Sequence, residues 1–351
     1  MKGALFGWDI GGAHLKVASL AADGRLLAVY QLACPLWQGL TQLERACAAL
    51  GVAAMSPQAV HAVTMTGELC DVFPDRASGV RDILDCLAKV LGRRATLRVY
   101  GGDAGWLSPR AASDAAAVVA SANWLALASL VARHVAQGVL LDIGSTTTDV
   151  ILLEHGEVRC QGRDDGTRLA SGELVYTGVV RTAVMAVCRQ VPVRGIWQHL
   201  AAEHFATMAD VYRLLGQLDE SHDQMATADG RGKNIEASAR RLARMLGRDL
   251  DVDASLADMQ GVARHLAAMQ RREIEDAVAL QASRAEHAGS ALPIIGAGAG
   301  AFVAAQVAHA QGRRYLPFQA LLKSVTNSAL AAEATLAAAA VAVAKLAWLA
   351  Q

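Results

Sequence analysis

The sequence predicts an α/β fold with a mostly parallel sheet, built from two related halves. Three observations carry this. Apolar runs of strand length alternate with longer stretches of helical periodicity. An Asp-Ile-Gly turn ends a buried run twice, at Asp9-Ile10-Gly11-Gly12 and at Asp142-Ile143-Gly144-Ser145. Each copy leads into a strand, a hairpin and a further strand, and the copies start 133 residues apart, Asp9 to Asp142. Late in the chain a third buried run, Leu292 to Ile295, enters Gly296-Ala297-Gly298-Ala299-Gly300 and then a helix.

A chain of 351 residues is long enough for two domains or two lobes of one fold. With 53% hydrophobic and 19% charged residues it is globular rather than disordered. A net charge of zero argues against a nucleic-acid groove or a polybasic membrane patch, so small molecules are the expected partners and a homo-oligomer is left open. The six cysteines, Cys34, Cys47, Cys70, Cys86, Cys160 and Cys188, include no CxxC pair. Scattered buried thiols in a reducing compartment are expected rather than a zinc or redox motif. Met1-Lys2-Gly3 leads straight into a strand with no signal-peptide pattern, so a cytoplasmic protein is expected. The alanine-rich stretch Ala329 to Ala350 is interrupted by Glu333 and Lys345 and reads as a buried terminal helix, not a membrane span.

Along the chain, residues 4–10 read as a buried strand, His14 to Leu20 as a second, and Arg25 to Ala33 as a third after the Asp23-Gly24 hairpin signal. A helix follows over Leu40 to Leu50. Strand Val60 to Met65 ends at Thr66-Gly67-Glu68, and a helix near Val80 to Leu91 precedes strand Thr96 to Tyr100, which ends at Gly101-Gly102-Asp103. Ser113 to His134 reads as one long helix. The pattern restarts with strand Gly138 to Ile143, strand Asp149 to Glu154, a turn at His155-Gly156 and a short strand Val158 to Gln161. Beyond Thr177 the chain reads as largely helical, over Met208 to Leu218, Asn234 to Leu246 and Ser255 to His287, with a polar surface loop over Asp219 to Gly232. The last helix follows Asn327. The expected domains are 1–137, with helix 329–351 packed on it, and 138–328, with a helical insertion at about 178–290.

Glycines at the first turn let backbone N–H groups approach an anion, and an Asp ending the strand can hold a divalent cation directly or through water. The second turn carries four hydroxyl residues, Ser145 to Thr148, between Asp142 and Asp149; hydroxyls and amides together suit phosphate oxygens. The third junction puts a helix N-terminus after Gly296-Ala297-Gly298 and matches GxGxxG only loosely. In this order the three elements resemble the superfamily of actin, the ATP-driven heat-shock chaperones and the sugar kinases. That resemblance implies the actin-like ATPase, or ribonuclease H-like, fold, with two lobes around a phosphate-binding cleft.

A narrower resemblance rests on Gly7-Trp8-Asp9-Ile10-Gly11-Gly12-Ala13-His14-Leu15-Lys16, Thr64-Met65-Thr66-Gly67-Glu68-Leu69, Gly101-Gly102-Asp103 and Asp142 to Asp149. Ser171-Gly172-Glu173-Leu174-Val175-Tyr176-Thr177-Gly178-Val179-Val180-Arg181-Thr182 and Arg240-Arg241-Leu242-Ala243-Arg244-Met245 complete it. Together they are similar to the hydantoinase/oxoprolinase-related family linked to tetrahydromethanopterin one-carbon metabolism and methylotrophy. His14 departs from that pattern, where a smaller polar residue such as Asn is expected. The resemblance implies a transferase of methanofuran or methylofuran cofactor biosynthesis, joining a furanmethyl diphosphate to a phenol and releasing diphosphate. It implies Mg2+, held by Asp9 and Asp142, and does not favour ATP.

Phosphate contacts are expected from Gly11, Gly12, Ala13, His14 and Lys16, from Gly144, Ser145, Thr146 and Thr147, and from Gly296 and Gly298. Arg181 reads either as a clamp on a terminal phosphate or as a surface residue. The phenol needs a base, and Glu68, Glu173 and Asp103 are the three candidates. Tyr176 stacks on the furan or phenol, or is a half-buried core tyrosine. The Arg240, Arg241 and Arg244 cluster reads as a solvated helix face. Two competitors stand beside the transferase. One is an ATP-dependent kinase or oxoprolinase-like hydrolase of the same fold. The other is a nucleotide-gated regulator or filament.

Overall fold

Alternating apolar positions and two tight turns make the first three strands an antiparallel meander. They are β1 (Leu5–Ile10), β2 (His14–Leu20) and β3 (Leu26–Ala33). After α1 (Thr41–Ala49), β4 (Val60–Met65) lies parallel to β1 in the register Leu5↔Val60 to Ile10↔Met65. The side chain of Asp75 caps α2 (Arg76–Leu91) by accepting from the Ser78 amide, which satisfies one of the helix's orphan donors. β5 (Thr96–Tyr100) then runs parallel to β4, and β6 (Trp106–Leu107) closes the edge, giving the order β3-β2-β1-β4-β5-β6. The computed structural model describes residues 4–51, 59–92, 94–286, 291–322, 325 and 327–351.

The single helix expected over Ser113 to His134 is instead three: α3 (Pro109–Asp114), α4 (Ala116–Val119) and α5 (Asn123–Ala132). The break before α5 falls at Ser121, whose φ of 53° no helix accommodates. The restart is as expected: β7 (Gly138–Ile143), β8 (Thr148–Glu154) and β9 (Glu157–Arg159). Next come α6 (Asp165–Ser171), β10 (Leu174–Val175) and α7 (Val184–Val187). The region expected to be helical beyond Thr177 also holds a hairpin, β11 (Gln190–Val193) and β12 (Ile196–His199), turning at Arg194 and Gly195, both with positive φ. A two-residue turn of that kind matches strand twist.

Helices α8 (Met208–Leu214), α9 (Ile235–Met245) and α10 (Leu256–Ala282) follow. The expected end of the long helix at His287 lies outside the described residues. β13 (Ile294–Ala297) pairs parallel with β7, and α11 (Ala301–Ala310) and β14 (Tyr315–Pro317) complete the second sheet, ordered β10-β8-β7-β13-β14. The terminal helix is two, α12 (Ser328–Leu336) and α13 (Ala338–Leu349), bent by 95°. Among the described residues no single helix is long and apolar enough to cross a membrane.

The chain divides into two units. The first comprises residues 1–138, 153–168 and 317–351; the second, residues 139–152 and 169–316. Segments 153–168 and 317–328, expected in the second domain, therefore group with the first. Asp165 pairs there with Arg76, and the Arg168 guanidinium lies over the Trp124 ring at 3.9 Å. In the first unit α13 lies directly on β1. A Cβ at Gly7 would fall 2.2 Å from the Ala340 carbonyl oxygen and 2.6 Å from the Ala344 Cβ. Trp348 Nε1 donates to the Ala22 carbonyl, and Lys345 Nζ to that of Gly24. Cys34 and Cys47 are buried in this core, and burial pushes both thiols up to about 12, which leaves them inert at neutral pH.

The second unit hides charge. Arg241, expected on a solvated face with Arg240 and Arg244, is completely buried. Its Nε and Nη2 donate to Asp210 Oδ1 at 2.9 and 2.6 Å, and its Nη1 to Asp229 Oδ1 at 3.0 Å. Arg213 also donates to Asp210, and it pairs with Asp223. Asp223 and Asp229 come from the 219–232 stretch, so that stretch is latched onto α8 and α9 rather than lying loose on the surface.

Candidate functional site

The two Asp-Ile-Gly turns are built alike down to individual hydrogen bonds. In the first, the Gly11 amide donates to the His14 carbonyl at 3.0 Å; in the second, the Gly144 amide donates to that of Thr147 at 2.8 Å. The Ile10 carbonyl accepts from the Thr66 amide at the exit of β4, and the Ile143 carbonyl from the Gly300 amide at the exit of β13. The segment after β3 returns over the first turn, and the segment after β10 over the second. Cys34 donates to Ala13 and Leu36 to Gly12, while Val179 donates to Gly144, and Val180 and Arg181 to Ser145. Even the packing repeats: a Cβ at Gly67 would meet Leu36 Cδ2 at 2.8 Å, and one at Gly300 would meet Val179 Cγ1 at 2.9 Å.

The second turn has the richer chemistry. Gly298, at φ +80°, approaches so closely that a Cβ would stand 2.5 Å from Asp142 Oδ1 and 2.4 Å from the Ile143 carbonyl oxygen. Gly178 is pressed on the same turn, where a Cβ would fall 2.5 Å from the Thr146 amide nitrogen. Ser145 Oγ is buried with no hydrogen-bond partner among the described residues. A buried hydroxyl in that state is costly unless a ligand completes it. Gln270, fully buried on α10, donates to Thr177 Oγ1 at 2.7 Å and to the Gly178 carbonyl at 2.9 Å, and accepts from the Tyr212 hydroxyl. It holds Gly178 against the turn from behind. Gly178 and Gln270 escaped the sequence reading: Gly178 stood inside a quoted motif with no assigned task, and Gln270 has no local signal.

In the first unit, Asp9 is buried on β1, opposite Thr64 on β4 and Lys16 on β2, and His14 is buried beside the turn. Gly12 packs on Cys70, whose Sγ would lie 2.9 Å from a Cβ there. Glu68 follows the Thr66-Gly67 exit and is 1% exposed. Its Oε1 accepts from the Ser121 amide at 2.8 Å and lies 3.1 Å from the Ser121 hydroxyl oxygen. Burial pushes its carboxyl up to about 7, against the lowering effect of those bonds. Because the folded value lies above the unfolded 4.5, Glu68's proton supports the fold fully below 4.5, and that support is lost as pH rises through about 7. Glu68→Gln, which copies the protonated acid, is therefore expected to flatten this decline. Relative to the parent it should gain about 3 kcal/mol between pH 4.5 and 8, read from denaturant midpoints against pH.

The remaining predicted residues take different places. Glu173 is fully buried and held on both oxygens, by Arg284 Nη1 at 2.9 Å and Ser171 Oγ at 3.0 Å, which makes it an anchor for the β10 entry. Asp103 is largely exposed and pairs with Arg163 at 2.8 Å. Tyr176 is 67% exposed, not half-buried in the core. Arg181 is exposed, with its amide fixed on Ser145. Gly296 faces the Tyr315 ring, whose hydroxyl would lie 2.5 Å from a Cβ; its glycine makes room for that ring. Among the described residues no three His, Cys, Asp or Glu side chains gather to hold a metal ion. Asp9 and Asp142, at equivalent strand ends, each offer one carboxylate. A single carboxylate of this kind fits a hydrated Mg2+, which keeps most of its shell as water and substrate phosphate oxygens.

Two sheets, each with such a turn at the end of a strand that pairs parallel with a later one, define the class: an α/β protein of the actin-like ATPase and sugar-kinase fold. The nucleotide-free structure of an acetone carboxylase, from work on ATP-dependent acetone carboxylation, superposes over 88% of this chain and 67% of that one. Its TM-score is 0.54 at 12% identity, a likeness of fold. Residues 59–346 match the hydantoinase/oxoprolinase family. A Methanocaldococcus jannaschii enzyme named (4-{4-[2-(gamma-L-glutamylamino)ethyl]phenoxymethyl}furan-2-yl)methanamine synthase is 31% identical over 253 residues, 72% of this chain and 74% of that protein. The Methanococcus vannielii protein of the same name is 29% identical over 113 residues, 32% of this chain and 50% of its own length. The chain belongs to the hydantoinase/oxoprolinase family, and its relatives are enzymes.

Proposed function

We propose that this protein is a transferase of methanofuran-type cofactor biosynthesis. It joins an (aminomethyl)furanmethyl diphosphate to the phenol of a γ-glutamyltyramine-type acceptor. The observation that carries this is the 31% identity, over most of both chains, to a synthase whose product has that aryl ether. In the reaction the bond between the furanmethyl carbon and the diphosphate oxygen breaks, and the phenol oxygen bonds to the same carbon. Diphosphate leaves and the phenol proton passes to a base.

The furan oxygen stabilises positive charge at the methylene carbon, so the demand on the protein is to accept charge on the leaving diphosphate. The Gly12 amide on the first turn and the Ser145, Thr146 and Thr147 hydroxyls on the second supply donors for it, while the Gly11 and Gly144 amides hold the turns themselves in shape. Mg2+, for which the strand-end carboxylates Asp9 and Asp142 are each a candidate ligand, would supply further charge neutralisation. Glu68 serves as the base, since a carboxyl poised near neutral pH both takes and releases a proton readily.

The test supplies a furanmethyl diphosphate and a tyramine-type phenol with Mg2+ and measures diphosphate. Release that requires the phenol and not ATP is the expected result. ATP hydrolysis with no diphosphate released from the furan would overturn the transferase and leave an ATP-dependent enzyme of the same fold.

A further inference from the structure

We propose that Glu68, Ser121 and Asp165 form a proton relay that carries the acceptor's proton from the buried end of β4 to the protein surface. The inference rests on Glu68 being the base of the transferase reaction.

The geometry is a line of four groups within the first unit. Ser121 Oγ lies 3.1 Å from Glu68 Oε1 and 3.0 Å from Asp165 Oδ2. A serine hydroxyl has one proton, so both contacts are hydrogen bonds only when one carboxyl brings a proton of its own. Asp165 is held at 3.1 Å by the Arg76 guanidinium. Glu68 is the acid, because ionising it would put charge on Oε2, an oxygen buried with no hydrogen-bond partner among the described residues. Asp165 is the charged neighbour that acts on Glu68, and its effect is also to keep the proton there. Exposure rises along the line, from 1% at Glu68 to side-chain values of 14% at Asp165 and 42% at Arg76.

The backbone supplies a second observation. Ser121 is a non-glycine residue at φ 53°, a left-handed conformation that an L side chain adopts only at a cost. It aims the amide and the hydroxyl of one residue at the same carboxylate oxygen. A cap needs only the amide; a relay needs the hydroxyl placed between two carboxyl groups.

The transfer balances. The acceptor's proton arrives on Glu68 Oε2 while the proton on Oε1 moves to Ser121 Oγ. The serine's own proton moves to Asp165 Oδ2 and from there to water. Glu68 ends with one proton, as it began, and no electron pair leaves the path.

Ser121→Gly tests this without endangering the fold. Glycine accepts φ 53° freely and keeps the amide bond to Glu68. Expected are undiminished stability and furanmethyl diphosphate binding, with turnover down about 100-fold, the scale of general acid–base catalysis. The base limb of the pH profile should also be displaced, and Asp165→Asn should behave alike. Infrared spectra provide the arm independent of turnover. A protonated-carboxyl band present at pH 6 should vanish in Glu68→Gln and titrate at a different pH in Ser121→Gly. Wild-type turnover and pH profile in Ser121→Gly would overturn the relay, as would absence of the band. If the parent releases no diphosphate at all, the transferase reading fails by itself, and the infrared titration still decides whether the three groups share protons.

Discussion

Gly298→Ala is expected to abolish measurable turnover and to destabilise the protein by about 3 kcal/mol, the sum of a left-handed alanine and an overfilled site. A methyl group there meets the Ile143 carbonyl oxygen at 2.4 Å and Asp142 Oδ1 at 2.5 Å, and neither is the free end of a flexible chain. Ile143 is fixed because its carbonyl already accepts from Gly300 and its side chain fills the core. Relief must therefore come from Asp142 and the turn behind it, the part assigned to diphosphate. Gly247→Ala is the matched control: φ is +64° and no atom lies within 4 Å, so only the conformational cost of about 1 kcal/mol remains. Denaturant unfolding and diphosphate release measured on both variants separate strain from site damage. Full turnover in Gly298→Ala would remove the second turn from the reaction.

The second large effect is expected at Arg241. Arg241→Met keeps the volume but leaves Asp210 buried with Arg213 as its remaining cationic partner, and takes from Asp229 its fully buried guanidinium. Breaking a buried pair from one side costs about 3–5 kcal/mol, because the abandoned charge has no water to turn to. The 219–232 stretch should come loose with it, since Arg241 holds both Asp229 and the Gly232 carbonyl in that stretch. Limited proteolysis then cuts within that stretch in Arg241→Met and not in the parent. Arg241→Lys keeps the charge but loses the fork that reaches both carboxylates, so a smaller loss, about 1–2 kcal/mol, is expected. Equal stability of Arg241→Met and the parent by chemical denaturation would show that the network contributes nothing net.

Strands bounded by glycine were legible in the sequence, because a buried apolar run followed by a turn has few alternatives. Val60–Met65, Thr96–Tyr100 and Gly138–Ile143 fall where the pattern places them. What the sequence hid is set by distant partners. The break at Ser121 answers to Glu68, 53 positions earlier, and nothing in the alanine-rich 113–134 stretch announces it. The β11 hairpin carries Pro192 inside a strand, a residue that argues against strand, although Arg194-Gly195 was its turn signal. Arg241 looked solvated because a run of arginines usually is, and its partner Asp210 sits 31 positions away. The two phosphate-type turns could be read as motifs. Which of the three carboxylates was poised could not, since Glu68 and Glu173 both follow a glycine and differ only in what meets them once buried: a serine, or a serine and an arginine.

The helix α13 on β1 has a consequence for how the protein is made. The Lys345 bond to Gly24 joins positions 321 residues apart. A ribosome therefore delivers β1, β2 and β4 long before the helix that covers them, and the whole second unit emerges in between. Through that interval the Gly7 face of the first sheet lies bare. The second unit can finish folding first, and the first closes only as α13 leaves the exit tunnel. Until then an apolar sheet face is exposed, the condition in which folding chains are prone to aggregate.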